Sequence, residues 1–368
     1  MVSVVVPVYN GEKYIVRTVE NIINADDILK EVILIDDGST DSSKFLCLQL
    51  VEKYSNVYYY YKENEGGVFA ARNMGIRKAC GDYISFCDQD DIVCKQMYSK
   101  LLGKMMDNDC DLGICSTFRY AGEEKFILEQ FDNAVFEKNE IVENLLEPLV
   151  FRGVDIPEIK DFSKQNRRQQ SIWKCLIKKE LIIKNDLQFI RYVNFEDDYL
   201  MYLELLLCAR RICTLSDLLY GWNMNMQSET YRDNYIEALP QKQEQCKQYI
   251  INVLEKGKVD EEIIYRYKQL QFCKDCMLII KNEYGKGNQR SIFRQIKYIR
   301  ESICIPKNQE YFDIVRYINK KEYRWKITIG LLQYQMVMLA YLFYRCYDKM
   351  VLFATNKKWF LKILEKNK

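Results

Sequence analysis

The sequence predicts an α/β fold with a mostly parallel sheet and helices on both of its faces. Short, almost continuous apolar runs alternate with segments of helical periodicity over residues 1–118. The runs are apolar on both faces, as strands are when helices cover both sides of a sheet. Beyond residue 235 the pattern is helical almost throughout, with few Gly or Pro residues. A helical region is therefore expected to follow the sheet.

The elements can be assigned in chain order. The first five predicted strands are Val2–Val6, Glu31–Ile35, Val57–Tyr61, Asp82–Cys87 and Leu112–Cys115. Pro7 is expected to end the first of them. The helices between these strands pass through Ile22, through Leu48, over Phe69–Ala79 and over Met97–Met106. A further helix is expected to open at 195–198, and two short strands, Arg211–Thr214 and Leu219–Trp222, follow it.

The composition excludes several kinds of chemistry. The 368 residues contain no histidine, which excludes a Ser-His-Asp triad, a Cys-His dyad and any zinc site with an imidazole ligand. Acid–base chemistry therefore falls chiefly to carboxylates. A formal net charge of +2 gives no argument for a nucleic-acid partner. The 14 scattered cysteines include one CxxC pair, Cys273 and Cys276, and are expected to be reduced thiols in the cytoplasm.

Two acidic clusters follow predicted strands. Asp36-Asp37 comes after the second strand and Asp88-Gln89-Asp90 after the fourth. Ligands of a parallel sheet bind beyond the carboxyl ends of its strands, so both clusters are expected to share one crevice. Two carboxylates one residue apart on an extended segment offer the oxygen ligands that Mg²⁺ or Mn²⁺ prefers. Phosphate oxygens usually complete the shell of such an ion, which implies a nucleotide diphosphate.

A third acidic cluster, Glu196-Asp197-Asp198, opens a predicted helix. Carboxylates in a first turn are favoured by the helix dipole, so the cluster also fits a purely structural role. Its functional interpretation is a general base, because crowded carboxylates are expected to have raised pKa values. Taken alone, the clusters at Asp36-Asp37 and at Asp88-Gln89-Asp90 also fit a structural role, as a solvated turn or a helix cap.

Six motifs occur in a characteristic order. They are Pro7-Val8-Tyr9-Asn10, Asp36-Asp37-Gly38-Ser39-Thr40-Asp41, Gly67-Val-x-x-Ala-Arg-Asn73, Gly81-Asp-Tyr-Ile-x-Phe86, Asp88-Gln89-Asp90-Asp91 and Glu196-Asp197. This order resembles that of the family 2 glycosyltransferases, inverting enzymes of the GT-A fold that use nucleotide-sugars. The resemblance implies a GT-A domain over 1–230, with a nucleotide-sugar half at 1–118 and an acceptor half at 119–230. The remaining residues, 231–368, are expected to form the helical region.

The resemblance also implies roles for individual residues. Those expected at the nucleotide are Pro7, Tyr9, Asn10, Glu12, Asp37, Arg72, Asp88 and Gln89. Asp37 would recognise the uracil, and Asp90, with Asp88, would bind Mn²⁺ or Mg²⁺. Asp197 would be the catalytic base, with Glu196 and Trp173 on the acceptor side. Lys174 stands where related transferases carry Asn, so Trp173 also fits the alternative role of a core aromatic.

The implied reaction moves a sugar from a UDP-sugar to a hydroxyl of a glycan or lipid-linked glycan, in surface polysaccharide biosynthesis. Two alternatives remain open. One is a catalytically inactive relative that serves as a partner or scaffold. The other is a nucleotidyltransferase, although the turn after the first strand lacks a basic, glycine-rich phosphate loop. A dinucleotide-binding enzyme is disfavoured because that turn also lacks the G-x-G-x-x-G pattern.

The C-terminal segment is basic and apolar. Residues 305–368 carry 13 Lys and Arg against 5 Asp and Glu. The stretch Ile327–Tyr344 is interrupted by Gln333 and Gln335, at the lower limit of length for a membrane span. An amphipathic attachment of 325–368 to an anionic membrane fits this composition better, and it predicts a peripheral protein on the inner face of the cell membrane. A helical hairpin packed on the domain or in a homodimer is the alternative.

Overall fold

The computed structural model describes residues 1–64, 67–122, 124–151, 170–193, 196–224, 235–303 and 323–350. The chain divides into two units, with the main boundary between residues 227 and 228. The described part of the first unit contains a sheet with helices, and that of the second is almost wholly helical. The predicted succession of an α/β region and a helical region is therefore confirmed.

One sheet contains the described strands. They are Val2–Val8 (β1), Leu29–Asp37 (β2), Val57–Lys62 (β3), Tyr83–Phe86 (β4), Ile92–Val93 (β5), Leu112–Ala121 (β6), Glu124–Glu129 (β7), Ala134–Glu137 (β8), Cys175–Lys178 (β9) and Arg211–Asn223 (β10). Their spatial order is β3-β2-β1-β4-β9-β6-β10-β5, with β7 beside β6 and β8 beside β10. The strands β3, β2, β1 and β4 are parallel, and so are β6 and β10. The antiparallel β9 joins these two groups.

The helices follow in chain order. Those of the first unit are Ile15–Ala25 (α1), Ser43–Lys53 (α2), Val68–Lys78 (α3), Met97–Asp107 (α4), Lys138–Ile141 (α5), Glu147–Val150 (α6), Lys179–Lys184 (α7) and Asp197–Cys208 (α8). A π-helical segment, Val142–Leu146, joins α5 to α6. Those of the second unit are Leu239–Lys256 (α9), Glu261–Glu283 (α10), Ile292–Ile303 (α11), Tyr323–Gln333 (α12) and 337–350 (α13).

The central strand explains how the sheet brings its loops together. Every residue of β1 is buried, as its run of valines predicts. In the register of the sheet, Val5 lies beside Ile33 of β2 and Phe86 of β4. Because these strands are parallel, the residues that follow β1, β2 and β4 meet at the same edge. Two of the acidic clusters lie at this edge.

Two strand predictions were wrong. The first strand continues through Pro7 to Val8, because the fixed φ of proline suits extended backbone. The two short strands expected near residue 215 are a single strand, β10, with register shifts between Leu215 and Tyr220. Such irregularities let one strand continue past residues that interrupt its alternation.

The second unit contains the CxxC pair within α10. Cys273 and Cys276 are both buried. Burial raises the pKa of Cys273 to about 12 and that of Cys276 well above the usual thiol range. Both groups therefore stay protonated near neutral pH, which does not favour metal binding or nucleophilic chemistry.

The apolar C-terminal stretch is divided between two helices. α12 ends at Gln333, and α13 begins at residue 337, after a turn in which Gln335 has a φ of 59°. In the described part of the chain, no helix combines the length and apolar character that crossing a bilayer requires. The segment 351–368, which the membrane prediction includes, lies outside the described residues.

Candidate active site

The residues after β4 form a tight turn. The Asp91 amide donates a hydrogen bond to the Asp88 carbonyl at 3.2 Å, which closes a turn over residues 88–91. The sequence prediction of an extended segment at Asp88-Gln89-Asp90 was therefore wrong. We call these four residues the acidic turn.

Neighbouring elements hold the backbone of the acidic turn. The Thr18 hydroxyl of α1 donates to the Gln89 carbonyl at 2.8 Å. The Asp90 carbonyl accepts from the Tyr120 hydroxyl at 2.9 Å and from the Arg17 guanidinium at 3.0 Å. These contacts come from two different elements, so they fix the position from which the Asp88 and Asp90 side chains extend.

Asp91 is the inward-facing member of the acidic turn. It is 1% exposed, and its two carboxylate oxygens accept from the Tyr220 hydroxyl at 2.7 Å and from the Asn223 amide at 2.8 Å. Burial raises the pKa of Asp91 well above its usual range, and the charges of Asp88 and Asp90 raise it further. Because Asp91 is committed to these internal bonds, Asp88 and Asp90 are the members of the turn that can face a ligand.

The acidic stretch at the end of β2 has a similar division. Asp36 is fully buried and accepts from the Tyr59 hydroxyl and from the Ser39 amide, both at 2.8 Å. Asp37 pairs with Lys62 of β3 at 2.5 Å. Asp36 therefore supports the turn, while Asp37 brings a charged pair to the carboxyl edge of the sheet.

The loop after β1 connects these two acidic stretches. Tyr9 and the Gln89 side chain exchange two hydrogen bonds, each 2.9 Å long, through the Tyr9 amide and carbonyl. The Asn10 amide donates to the Ser39 hydroxyl at 3.0 Å, and the Asn10 side chain accepts from the Thr40 amide at 2.8 Å. A continuous set of hydrogen bonds therefore runs from the end of β2 to the acidic turn.

Arg72 of α3 joins the acidic turn to the third acidic cluster. Its guanidinium contacts Asp88 at 3.0 Å, Asp197 at 3.2 Å and Asp198. Arg72 is 3% exposed and Asp197 is also 3% exposed, so their charges interact with little screening by solvent. Arg72 therefore brings residues that are more than 100 positions apart in the chain into one site.

The third cluster contains a carboxylate with a raised pKa, for which burial is the chief cause and crowding a lesser one. Burial raises the pKa of Asp198 to about 7, against the opposing effect of Arg72 and with further contributions from Asp197 and Asp88. The residue is the neighbour of the predicted base, Asp197. Both residues belong to the first turn of α8, where carboxylates are favoured.

A second arginine, which no sequence motif indicated, also contacts Asp197. The Arg191 guanidinium contacts the other Asp197 oxygen at 3.2 Å. It lies so close to Gly67 that a Cβ at that position would be 2.2 Å from an Arg191 nitrogen. Arg191 belongs to no motif, and its place depends on how the segment before α8 packs against α3. The requirement for glycine at residue 67 was the available indication that something approaches closely there.

The remaining predicted residues lie in three different segments. Pro7 is within β1, and the Glu12 carboxylate accepts from the Ser42 amide at the start of α2, at 3.1 Å. Glu196 immediately precedes α8. Phe195, where a helix is expected to open, lies outside the described residues.

The family of the chain follows from two comparisons. The family model described as Glycosyl transferase family 2 matches residues 3–156. Glycosyltransferase GlyG of Streptococcus pneumoniae serotype 4 is 34% identical over 231 residues, which are 60% of this chain and 69% of GlyG. The chain belongs to glycosyltransferase family 2. The protein is therefore a transferase enzyme. Membership of this family does not support the alternative of a nucleotidyltransferase.

Two further relatives extend the comparison. The minor teichoic acid biosynthesis protein GgaB of Bacillus subtilis is 39% identical over 102 residues, which are 27% of this chain and 11% of GgaB. The crystal structure of S. aureus TarS 1–349 in complex with UDP has a TM-score of 0.62 and 18% identity, covering 95% of this chain and 91% of that one. The same fragment was solved with UDP-GlcNAc, with a TM-score of 0.60, 18% identity and the same coverage. The likeness in fold confirms the predicted GT-A architecture.

The residues of the acidic turn suit a divalent ion. Asp88 and Asp90 offer hard carboxylate oxygens, which are the ligands of Mg²⁺ and Mn²⁺. The Asp88 side chain is 32% exposed, and it faces the cluster that contains Asp197 through Arg72. Among the described residues there is no group of three or more acidic or cysteine side chains placed to hold a metal by themselves. A pair of carboxylates matches the way Mg²⁺ is bound together with substrate phosphates.

Trp173 lies in the core. Its ring stacks on that of Tyr220 with 4.3 Å between centroids and 16° between planes, and it is 4% exposed. The adjacent Lys174 is fully buried and pairs with the fully buried Glu129 at 2.6 Å. The acceptor-side role of Trp173 stays a prediction. The Trp173 ring contacts Tyr220, whose hydroxyl binds Asp91.

A cavity of about 480 Å³ lies at the opposite end of the strands. Its lining includes Glu137 and Arg211, which pair with each other where β10 begins. This cavity is separate from the carboxyl edge of the sheet, where Arg72 joins the acidic turn to Asp197. The carboxyl edge is the candidate active site because Asp88, Arg72 and Asp197 converge there.

Proposed function

We propose that this glycosyltransferase transfers a sugar from a UDP-sugar to an acceptor hydroxyl with inversion of the anomeric configuration. The observation that carries the proposal is the set of Arg72 contacts, which links Asp88 of the acidic turn to Asp197 of α8. A direct displacement needs one protein group at the donor phosphates and another at the reacting sugar. In this proposal Asp88 is the first of these groups and Asp197 is the second. A single attack from the opposite face converts an α-linked donor into a β-linked product.

The nucleotide lies over the loops after β1, β2 and β4 in this proposal. The residues that hold it are Pro7, Tyr9, Asn10, Glu12, Asp37, Arg72, Asp88 and Gln89. The Tyr9 side chain is 44% exposed, so its ring can support the base or ribose. Asp37 accepts a hydrogen bond from the uracil N3–H, and its partner Lys62 fixes the carboxylate for that contact.

Asp90 and Asp88 would hold the Mn²⁺ or Mg²⁺ ion. When bound, such an ion acts as a Lewis acid that stabilises negative charge on the leaving diphosphate. The chain itself supplies a fixed backbone for both carboxylates, because the carbonyls of Gln89 and Asp90 are held by Thr18 and Tyr120. Arg72 pairs with Asp88 and would hold this carboxylate beside the donor phosphates.

Asp197 is the proposed catalytic base. Its carboxylate removes the proton of the acceptor hydroxyl as that oxygen attacks the anomeric carbon. Arg72 and Arg191 each contact one of its oxygens, so two guanidiniums fix its orientation. Glu196 and Trp173 stay predictions for the acceptor side.

The proposed acceptor is a glycan or lipid-linked glycan of a surface polysaccharide. Support comes from the relatives: GgaB is named for minor teichoic acid biosynthesis, and TarS, a neighbour in fold, was crystallised with UDP-GlcNAc. A UDP-sugar donor agrees with the carboxylate at Asp37.

Release of UDP from a panel of UDP-sugars, measured with Mn²⁺ and with EDTA, tests this proposal. We expect one donor to give metal-dependent UDP release that increases with added glycan acceptor. Absence of release from every UDP-sugar, together with no binding of UDP, would refute the proposed donor class. The inactive-scaffold alternative predicts UDP binding without transfer on any donor and acceptor pair.

We further propose that the C-terminal region attaches the enzyme to the inner face of an anionic membrane. The described helices of this region, α12 and α13, expose apolar side chains at Ile327, Met338, Leu339, Leu342 and Met350, and the turn between them exposes Tyr334. Lys326 and Lys349 are exposed on the same helices. The acidic residue in 323–350, Asp348, pairs with Arg324. Apolar groups flanked by positive charge fit a lipid surface with negative headgroups.

Co-sedimentation with vesicles tests this attachment. We expect binding to vesicles that contain phosphatidylglycerol, weaker binding to pure phosphatidylcholine, and loss of binding in the double variant Leu339→Glu, Leu342→Glu. Phe45→Glu, at a similarly exposed position on α2 of the first unit, is the control. Unchanged binding of the double variant would contradict the proposal. A change from dimer to monomer in that variant, without vesicle binding by the wild type, would instead identify the face as a homodimer interface.

A further inference from the structure

We propose that Tyr220 is a positioning residue that sets the geometry of the acidic turn. Its hydroxyl donates to the Asp91 carboxylate at 2.7 Å and accepts from the Asp88 amide at 3.2 Å. The hydroxyl thus bridges the two ends of the turn that carries both proposed metal ligands. This inference rests on the proposed metal role of Asp88 and Asp90.

The hydroxyl is well suited to hold the turn rigidly. A tyrosine hydroxyl has one proton to donate and lone pairs to accept, and both capacities are used here. The ring has no freedom to follow a shift of the turn, because Tyr220 is fully buried and stacked on Trp173. The Asn223 amide, three residues further along β10, holds the other Asp91 oxygen. The strand β10 therefore anchors the turn from a part of the chain over 100 residues away.

The contacts separate two functions within the acidic turn. Asp91, which is buried, transmits the position of β10 to the turn, and Asp88 and Asp90 are the partly exposed aspartates of the turn. Partners one layer removed from a metal ligand typically change metal affinity or activity by about 10–100-fold when removed. A loss of the Tyr220 hydroxyl is expected to weaken the metal-dependent part of donor binding by that factor.

The structure also gives Trp173 a function that does not require contact with the acceptor. The indole supports the ring whose hydroxyl holds the turn. A smaller side chain at residue 173 would free the Tyr220 ring to move, and the effect would appear in the same metal-dependent measurement.

The substitution Tyr220→Phe isolates the hydroxyl, because it keeps the ring that stacks on Trp173. UDP affinity is measured by titration calorimetry over a series of Mn²⁺ concentrations and in EDTA. We expect the Mn²⁺ concentration that gives half-maximal UDP affinity to rise about 10–100-fold, while UDP affinity in EDTA changes less than about 2-fold. Tyr341→Phe is the matched control, since Tyr341 is an equally buried tyrosine whose hydroxyl donates to Gln295 in the helical unit.

A double-variant cycle with Asp91→Asn tests whether Tyr220 acts through Asp91. If it does, Tyr220→Phe adds little to the effect of Asp91→Asn on the Mn²⁺ response, and the two effects are strongly non-additive. Wild-type Mn²⁺ dependence in a folded Tyr220→Phe protein would overturn the inference, as would fully additive effects. If Tyr220→Phe does not fold, Trp173→Phe is the second variant, because it keeps the Tyr220 hydroxyl and changes only the ring that supports Tyr220. The inference predicts a shifted Mn²⁺ response in this variant, and a wild-type response would overturn it. UDP binding by the wild type that ignores Mn²⁺ would instead refute the proposed metal role.

Discussion

The two acidic stretches at the carboxyl edge of the sheet are built on the same plan. Each contains one buried aspartate that accepts from a tyrosine hydroxyl and from a backbone amide: Asp36 from Tyr59 and Ser39, Asp91 from Tyr220 and Asn223. The neighbouring aspartates, Asp37 in one stretch and Asp88 and Asp90 in the other, contact ligands in the proposed mechanism. One carboxylate in each stretch thus fixes the backbone for the others.

The stretches differ in where their anchors come from. The partners of Asp36 are three and 23 residues away in the chain, on its own turn and on the adjacent strand. The partners of Asp91 are 129 and 132 residues away, on β10. The uracil side of the proposed site is therefore built locally, while the metal side depends on a distant strand. Damage to β10 should affect metal use before it affects recognition of the base.

The largest expected effect is the loss of an outward-facing carboxylate. Asp90→Asn should reduce metal-dependent transfer about 100-fold or more, because direct ligands exceed the ~10–100-fold typical of outer partners. The free energy of unfolding in urea should be unchanged. Asp27→Asn, at an exposed aspartate between α1 and β2, is the control. A metal response equal to that of the wild type would count against Asp90 as a ligand.

The second expected effect is a loss of free energy of unfolding when Asp91, the buried aspartate of the acidic turn, is removed. Asp91→Ala leaves the Tyr220 hydroxyl and the Asn223 amide without their acceptor. Each buried donor left without its acceptor costs about 1–3 kcal/mol, so the loss of both bonds should cost about 2–6 kcal/mol. Equilibrium urea unfolding should detect a loss of this size. A loss below about 1 kcal/mol would mean that the carboxylate does not support the fold.

The third expected effect is smaller, at the corresponding aspartate of the uracil side. In Asp36→Ala the partner Tyr59 is only partly buried, so water can replace part of the lost bond. We expect a loss of about 1–3 kcal/mol, the usual range for an unsatisfied buried group. The same urea measurement checks it. Equal losses in Asp36→Ala and Asp91→Ala would remove the difference between a local and a distant anchor.

The smallest expected effect concerns Lys62. Lys62→Met removes the partner of Asp37 and should weaken UDP binding by a few-fold, about the value of one partly buried ion pair. The preference for UDP over CDP should fall with it, because Asp37 would be held less firmly against the uracil. Titration with both nucleotides measures the change. An unaltered preference would indicate that Lys62 has no part in recognition of the base.

The sequence predicted the parallel strands and the order of the acidic clusters, because apolar runs and strand-end aspartates are local features. The bond from the Ser39 amide to Asp36 is likewise local, of the kind expected where an aspartate begins a turn that contains Gly38 at a φ of 75°. Local features of the sequence did not reveal which aspartate of each stretch is buried.

The contacts of Asp91 depend on the register of β10, and that register changes twice between Leu215 and Tyr220. A shift of one residue would turn the Tyr220 side chain to the other face of the sheet. The Arg191 contact depends on the packing of a loop against α3 and has no periodicity to reveal it. Long-range register and loop packing are thus the parts of the site that the sequence alone did not reveal.

The most direct test of the proposed mechanism is UDP release by Asp197→Asn, with the best donor and acceptor pair of the wild type. The mechanism predicts that transfer is lost, since an amide cannot take the acceptor proton, while the Kd for UDP with Mn²⁺ stays within a few-fold of the wild-type value. Transfer at a rate near that of the wild type would contradict it and would mean that the base lies elsewhere.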